Sequence, residues 1–111
     1  MEDKMAGRIF LVGIGPGKRE HMTTRAVDAI KNSDVVVGYG TYLALIEEFL
    51  GNKEVISKDM TQEVERARSA IKRAEEGLVV AVVCSGDPGV YAMASVVFEH
   101  MKEKNVKVDV E

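Results

Sequence analysis

Three apolar runs of strand length, RIFLVGI (8–14), DVVVGY (34–39) and LVVAVVC (78–84), with the short strand-like stretch EVIS (54–57), alternate with segments of helical apolar spacing. This alternation constrains the fold more than any other feature. Near-continuous apolar runs suit strands covered on both faces, and parallel neighbours must be joined by long crossovers, usually helices. A fifth segment, VKVDVE (106–111), alternates in the manner of an edge strand. The expected fold class is α/β, a doubly wound five-stranded parallel sheet with right-handed crossovers. With 111 residues, 46% of them hydrophobic, the chain is long enough to bury one core.

The helical segments carry their own boundaries. Thr23 is placed to cap a helix over 23–33, where Ala26, Val27 and Ile30 share a face. A short helix over 41–51 closes at Gly51. The longest, 61–77, has Asp59 or Thr61 as its cap and a stripe of Val64, Ala67, Ile71 and Ala74. Glu63, Glu65, Arg66, Arg68 and Arg73 then fall on its solvated faces, and Gly77 is the stop signal. The last helix is expected over 90–105, which leaves SGDPG (85–89) as a loop.

Several function classes are disfavoured by composition. A net charge of −3 is the wrong sign for a nucleic-acid footprint. The longest apolar run, LVVAVVC, is far short of the roughly 18 residues of a membrane span. One cysteine, Cys84, forms no internal disulfide, and MEDKMAGR lacks a signal-peptide pattern, so a cytoplasmic location is expected. His21 and His100, on exposed-looking positions far apart in sequence, make no metal site, and none is expected elsewhere.

Sites in such sheets lie beyond the carboxyl ends of the strands, at a switch point in strand order. Three loops qualify: 13–20, 38–41 and 85–90. The first, GIGPGKR (13–19), fails the dinucleotide pattern because Lys18 stands where a third glycine belongs. It fails the phosphate-loop pattern at Val12 and Arg19, and Pro16 lacks an amide hydrogen. A tight ligand wall and a bare structural turn both remain open for it. Asp87 reads either as a ligand group or as an Asx-type turn cap. Cys84 reads as a buried, inert thiol.

LVGIGPG, MTTRA, NSDVVVGY and above all SGDPGVY together resemble the tetrapyrrole methylases, along essentially the whole chain. The segments VVGYGTYLALI, MTQEVERARSAI and SGDPGVYAMA resemble most the precorrin-3B C17-methyltransferase branch. Lys18 and Met22 depart from the family's usual residues. The resemblance implies a sheet of order 3-2-4-1-5 and S-adenosylmethionine (SAM) held between two α/β domains. Residues 1–111 then match the N-terminal domain alone, and the C-terminal domain is expected from the rest of a longer protein or from a second copy, with a homodimer expected.

The implied reaction is C17 methylation of a precorrin or cobalt-precorrin with ring contraction, in cobalamin synthesis. The implied cofactor contacts are Pro16, Ser85, Gly86, Asp87 and Val90. Tyr39 stands where some relatives have a catalytic aspartate, so no acid is carried over. A phenol there either lines the macrocycle pocket or packs. Tyr42 and Met60 are the other candidate substrate residues, each with plain packing as the alternative. Arg66 or Arg68 is placed to reach the acidic rim of a tetrapyrrole. The competing readings are a diphthine synthase, a different precorrin methylase, or a non-catalytic α/β module. A receiver-type module would need acids where Gly13 and Ser57 stand.

Overall fold

The computed structural model describes residues 7–14, 23–58, 63–84, 87–104 and 109–110, with backbone alone at 87–88, 104 and 109–110. The elements in chain order are β1 (Arg8–Gly13), α1 (Thr24–Lys31), β2 (Val35–Gly38), α2 (Gly40–Leu45), β3 (Glu54–Ser57), α3 (Glu63–Glu75), β4 (Val79–Cys84), α4 (Asp87–Lys104) and β5 (Asp109–Val110). A 3-10 turn, Glu47–Phe49, follows α2. All paired strands run parallel, in the order β3-β2-β4-β1-β5. The four longer strands form the body of the sheet. At the edge, β5 contributes two residues, opposite Arg8 and Ile9.

Two apolar layers cover the sheet, divided by strand alternation. Val80, Val82 and Cys84 of β4 face α3 and α4, joined by Ile9, Val35, Val37, Ala67, Ile71, Met93 and Val97. Ala81 and Val83 face α1 and α2, joined by Val12, Val36, Ile30, Leu43 and Ile46. β4 is therefore buried from both sides, as its unbroken apolar run requires. Removing one such valine from water contributes about 1.5–3 kcal/mol.

The helix ends follow local chemistry. Thr23 caps α1, its Oγ1 accepting the Ala26 N–H at 3.1 Å. At the far end of α1, Lys53 Nζ donates to the carbonyls of Lys31 and Ser33, each at 2.8 Å. α3 ends in a Schellman motif. Gly77 has φ +92°, its N–H donates to Ala74 O at 3.0 Å, and Leu78 N–H donates to Arg73 O at 3.3 Å.

Several expectations are corrected. The helix expected over 41–51 breaks at Ile46, whose φ of −116° and ψ of 19° end α2 before the 3-10 turn. α4 starts at Asp87 rather than Val90, so Asp87, Pro88 and Gly89 form its first turn. Proline is tolerated there because first-turn amides have no intrahelical partner. Val64 is half exposed at 50%, and the buried face of α3 is Ala67, Ala70, Ile71 and Ala74 with Arg66 beside them. Three alanines let α3 lie close to its neighbours, and the arginine stem adds apolar length along the same face. His100 is buried as well, not exposed. His21 lies outside the described residues. Among the described residues no helix is long and apolar enough to cross a membrane.

Candidate functional site

The strand order sets the site. α1 carries the chain from β1 past β4 to β2, and α4 carries it from β4 past β1 to β5. The two helices lie on opposite faces. Connections that leave adjacent strands in opposite directions open a crevice at the carboxyl ends of those strands. Here they are β1 and β4, whose register aligns Gly13 with Cys84. Ile14 N–H then donates to Cys84 O at 3.1 Å. The segments that continue from Ile14 and Cys84 therefore leave the sheet at one level.

Of the expected cofactor contacts, Pro16, Ser85 and Gly86 lie outside the described residues, and Asp87 is described by its backbone alone, in the first turn of α4. Val90, one turn further, is half buried. It borders a concavity of about 480 Å³ that runs along Phe10, Leu11, Val12 and Gly13 and under Thr23 and Arg25 of the α1 end. Gly13 and Val90 thus share one surface. The concavity is walled by apolar side chains and strand backbone, with the charges of Arg25 and Asp28 on the α1 side.

A smaller cavity, about 160 Å³, opens over the carboxyl ends of β2 and β4. Tyr39, Tyr42, Glu63, Arg66, Val83, Cys84, Gly89 and Met93 line it. Tyr39 immediately follows β2, where a strand end becomes the start of α2, and its carbonyl accepts from Tyr42 and Leu43 N–H, both at 3.0 Å. The Tyr39 and Tyr42 rings meet edge to face, with centroids 5.8 Å apart and planes at 64°. Both expected tyrosines are therefore brought together at one cavity. Met60 lies outside the described residues. Arg68 points away into solvent and pairs with Glu65 at 3.3 Å.

Arg66 is the residue placed wrongly on a solvated face. It is 7% exposed and reaches the tyrosine cavity. A signal for this was present: Arg66, Ala70 and Ala74 step by four, which is one row of a helix. Cys84 is buried beside it, and burial pushes its thiol up to about 11. The Arg66 charge opposes that rise and the Glu63 charge adds to it. A thiol held neutral is not a nucleophile. Among the described residues no three His, Cys, Asp or Glu side chains converge on a metal position.

The family model of the Tetrapyrrole (Corrin/Porphyrin) Methylases matches residues 8–111. The chain is 50% identical over 103 residues to the cobalt-factor III methyltransferase of Priestia megaterium, covering 93% of this chain and 19% of that protein. It is 52% identical over 91 residues to the probable cobalt-factor III C(17)-methyltransferase of Methanothermobacter thermautotrophicus, covering 82% and 26%. The crystal structure of the methyltransferase CobJ superposes with a TM-score of 0.80 at 33% identity, covering 95% of this chain and 46% of that one. The chain thus spans less than half the length of each of these proteins.

Proposed function

The chain belongs to the tetrapyrrole (corrin/porphyrin) methylases, and from that premise we propose that it is one wall of a SAM-dependent enzyme that methylates C17 of a precorrin or cobalt-precorrin, with ring contraction, in cobalamin synthesis. The observation that carries the reading is the β1–β4 pairing that aligns Gly13 with Cys84, the strand ends from which the GIGPG and SGDPG stretches continue in the sequence. Similarity to two proteins named as cobalt-factor III methyltransferases favours this branch over diphthine synthesis. A second α/β domain, in the same longer chain or a partner, supplies the facing wall, and the assembly works as a cytoplasmic homodimer.

The crevice fits such a cofactor: Gly13 carries no side chain at the strand end, and the adjoining concavity combines apolar walls with the polar groups of Thr23, Arg25, Asp28 and Asn32 on its α1 side. When bound, SAM supplies a methyl group on a sulfonium. Transfer to an electron-rich ring carbon needs alignment and exclusion of water more than a strong acid or base. In this reading Gly13 and Val90 set the floor against which the donor is aligned. Pro16, Ser85, Gly86 and Asp87 fix and recognise its amino-acid and ribose ends, and Tyr39, Tyr42 and Met60 face the macrocycle.

Titration calorimetry with SAM tests this. The 111-residue chain should bind weakly, because it makes none of the hydrogen bonds that the facing wall supplies. Each is worth about 1 kcal/mol, which amounts to several decades of affinity over a half-site. A longer chain bearing the second domain should bind tightly, and Asp87→Ala in it should weaken binding while leaving the circular dichroism spectrum unchanged. Submicromolar binding by the 111-residue chain would overturn the two-wall arrangement. Parent-like binding by Asp87→Ala would remove that residue from the site.

A further inference from the structure

We propose that the outer face of α4 pairs with the same face of a second copy of this chain, antiparallel, through Tyr91, Ser95, Phe98 and Lys102. The inference is independent of the methylase reading, and none of the four residues lines either cavity described above.

α4 turns one side to the body of the domain and leaves another bare. Met93, Val97 and Met101 are buried in the core that α4 shares with α3, β1 and β4. Tyr91 and Phe98 are instead 73% and 54% exposed. Ser95 and Lys102 are exposed on the same side. Steps of four, three and four residues put Tyr91, Ser95, Phe98 and Lys102 in one narrow stripe, the spacing of a coiled-coil seam. Val55 and Val64, by contrast, are exposed singly on separate elements, as scattered surface residues commonly are.

The stripe is complementary to itself. In an antiparallel pair with its two-fold axis level with the Val96–Val97 bond, position 95 faces 98 and position 91 faces 102. Phe98 then settles over the small Ser95 of the second copy. Tyr91 meets the stem and ammonium of Lys102, a cation–π pair. Beside the seam, Glu99 comes opposite Ala94 and Glu103 opposite Val90, so no like charges meet. A parallel pair would set Lys102 against Lys102 and leave Ser95 against Ser95, which costs repulsion and leaves the aromatics poorly filled. The seam from Tyr91 to Lys102 is about 16 Å long at 1.5 Å per residue. One helix face of that length is small beside the roughly 800 Å² per partner of a standard interface. The contact alone is therefore weak, with a dissociation constant of roughly 0.1 mM.

The test uses the 111-residue chain. Sedimentation velocity should show it passing from monomer to dimer between micromolar and millimolar concentration. Over the same range, ¹H–¹⁵N NMR spectra should show amide shifts concentrated in α4 around Tyr91, Ser95, Phe98 and Lys102. Phe98→Glu should weaken the dimer by about tenfold or more, since each dimer loses two aromatic anchors. Ser95→Lys should weaken it as well. An equimolar mixture of the two variants should associate more tightly than either alone, because the new lysine faces the new glutamate while the second contact keeps Phe98 on Ser95. Both substitutions are at exposed positions, and circular dichroism checks that each variant is folded.

A chain that stays monomeric at millimolar concentration would overturn the pairing and leave the methylase reading standing; it is the result expected if the rest of a longer protein covers this face. A folded Phe98→Glu that dimerises like the parent would place the contact elsewhere and overturn it too. If Phe98→Glu does not fold, concentration-dependent shifts of the parent that lie outside α4 have the same consequence. A mixture no tighter than its components would refute the antiparallel register.

Discussion

Ile14 donates its backbone N–H to the carbonyl of Cys84 at 3.1 Å, the last rung between β1 and β4 among the described residues. This one bond ties together the points from which the two glycine-bearing segments leave the sheet. Its register is inherited from six aligned pairs, Arg8 with Val79 through Gly13 with Cys84. A slip of one residue would turn every side chain of β1 to the opposite face and exchange its two cores. The crevice is thus held by the packing of buried valines and isoleucines.

Gly7→Ala should destabilise the chain by about 1–3 kcal/mol, the usual cost of forced overpacking. A Cβ on Gly7 would lie 1.8 Å from the Leu78 carbonyl oxygen, and backbone cannot step aside as a side chain can. Gly77→Ala should cost about 1 kcal/mol for a different reason, its φ of +92° within the motif that ends α3. Urea unfolding measures both, and parent-like stability of Gly7→Ala would contradict the close approach.

Cys84 should resist alkylation in the folded chain. Its thiol is raised from 9.0 to about 11 by burial, so at pH 8 its thiolate fraction is far below that of a free cysteine. Because the folded value exceeds the unfolded one, the stability from the neutral thiol is present below pH 9 and lost as pH rises through about 11. Iodoacetamide labelling should be slow at pH 8 and fast once guanidinium unfolds the chain. Equal rates in the two states would show that the thiol is accessible.

Glu54 and Arg73 should give a weak, acid-sensitive contribution. Arg73 Nη2 lies 2.7 Å from Glu54 Oε2, and Arg73 Nε reaches both carboxylate oxygens. The hydrogen bond from Arg73 holds the Glu54 carboxyl below its ordinary 4.5. The contribution is therefore present above pH 4.5 and is lost as pH falls through the lower folded value. Both groups are exposed enough for salt to screen the pair. Melting of parent and Glu54→Gln should differ slightly at pH 7 and low salt and converge at acid pH; a gap that persists in acid refutes the ion-pair origin.

Lys53→Met should cost about 1 kcal/mol, as expected for removing a charged donor from two carbonyls at a partly exposed site. Lys53 ties the Lys31 and Ser33 carbonyls at the end of α1 to the start of β3. Amide exchange should quicken in the last turn of α1 ahead of the β4 core. Uniform exchange across the chain would mean that this end of α1 has no local weakness.

Much of the fold is legible from residue order. Apolar runs at strand length mark β1, β2 and β4, Thr23 marks the start of α1, and Gly77 marks the end of α3, because each acts through bonds within a few residues of itself. The candidate loops were also legible as places, since a parallel sheet puts its sites at the carboxyl ends of strands. Less local features were not. DPG reads as a turn in isolation, yet it forms the first turn of α4, where a missing amide costs nothing. Val64 and Ala67 fit an apolar stripe by spacing alone, and only the packing of α3 decides that Arg66 goes under and Val64 out.

The sequence by itself determined which segments are strands and helices and that they pair in parallel, because those choices rest on short-range periodicity and on the connection lengths it leaves. The tertiary structure alone decided which arginine is buried and that Tyr39 and Tyr42 share a cavity with it. The physical reason is that these relations join residues far apart in the chain. They follow from how two apolar layers close over one sheet, a balance of packing that no single stretch of sequence contains.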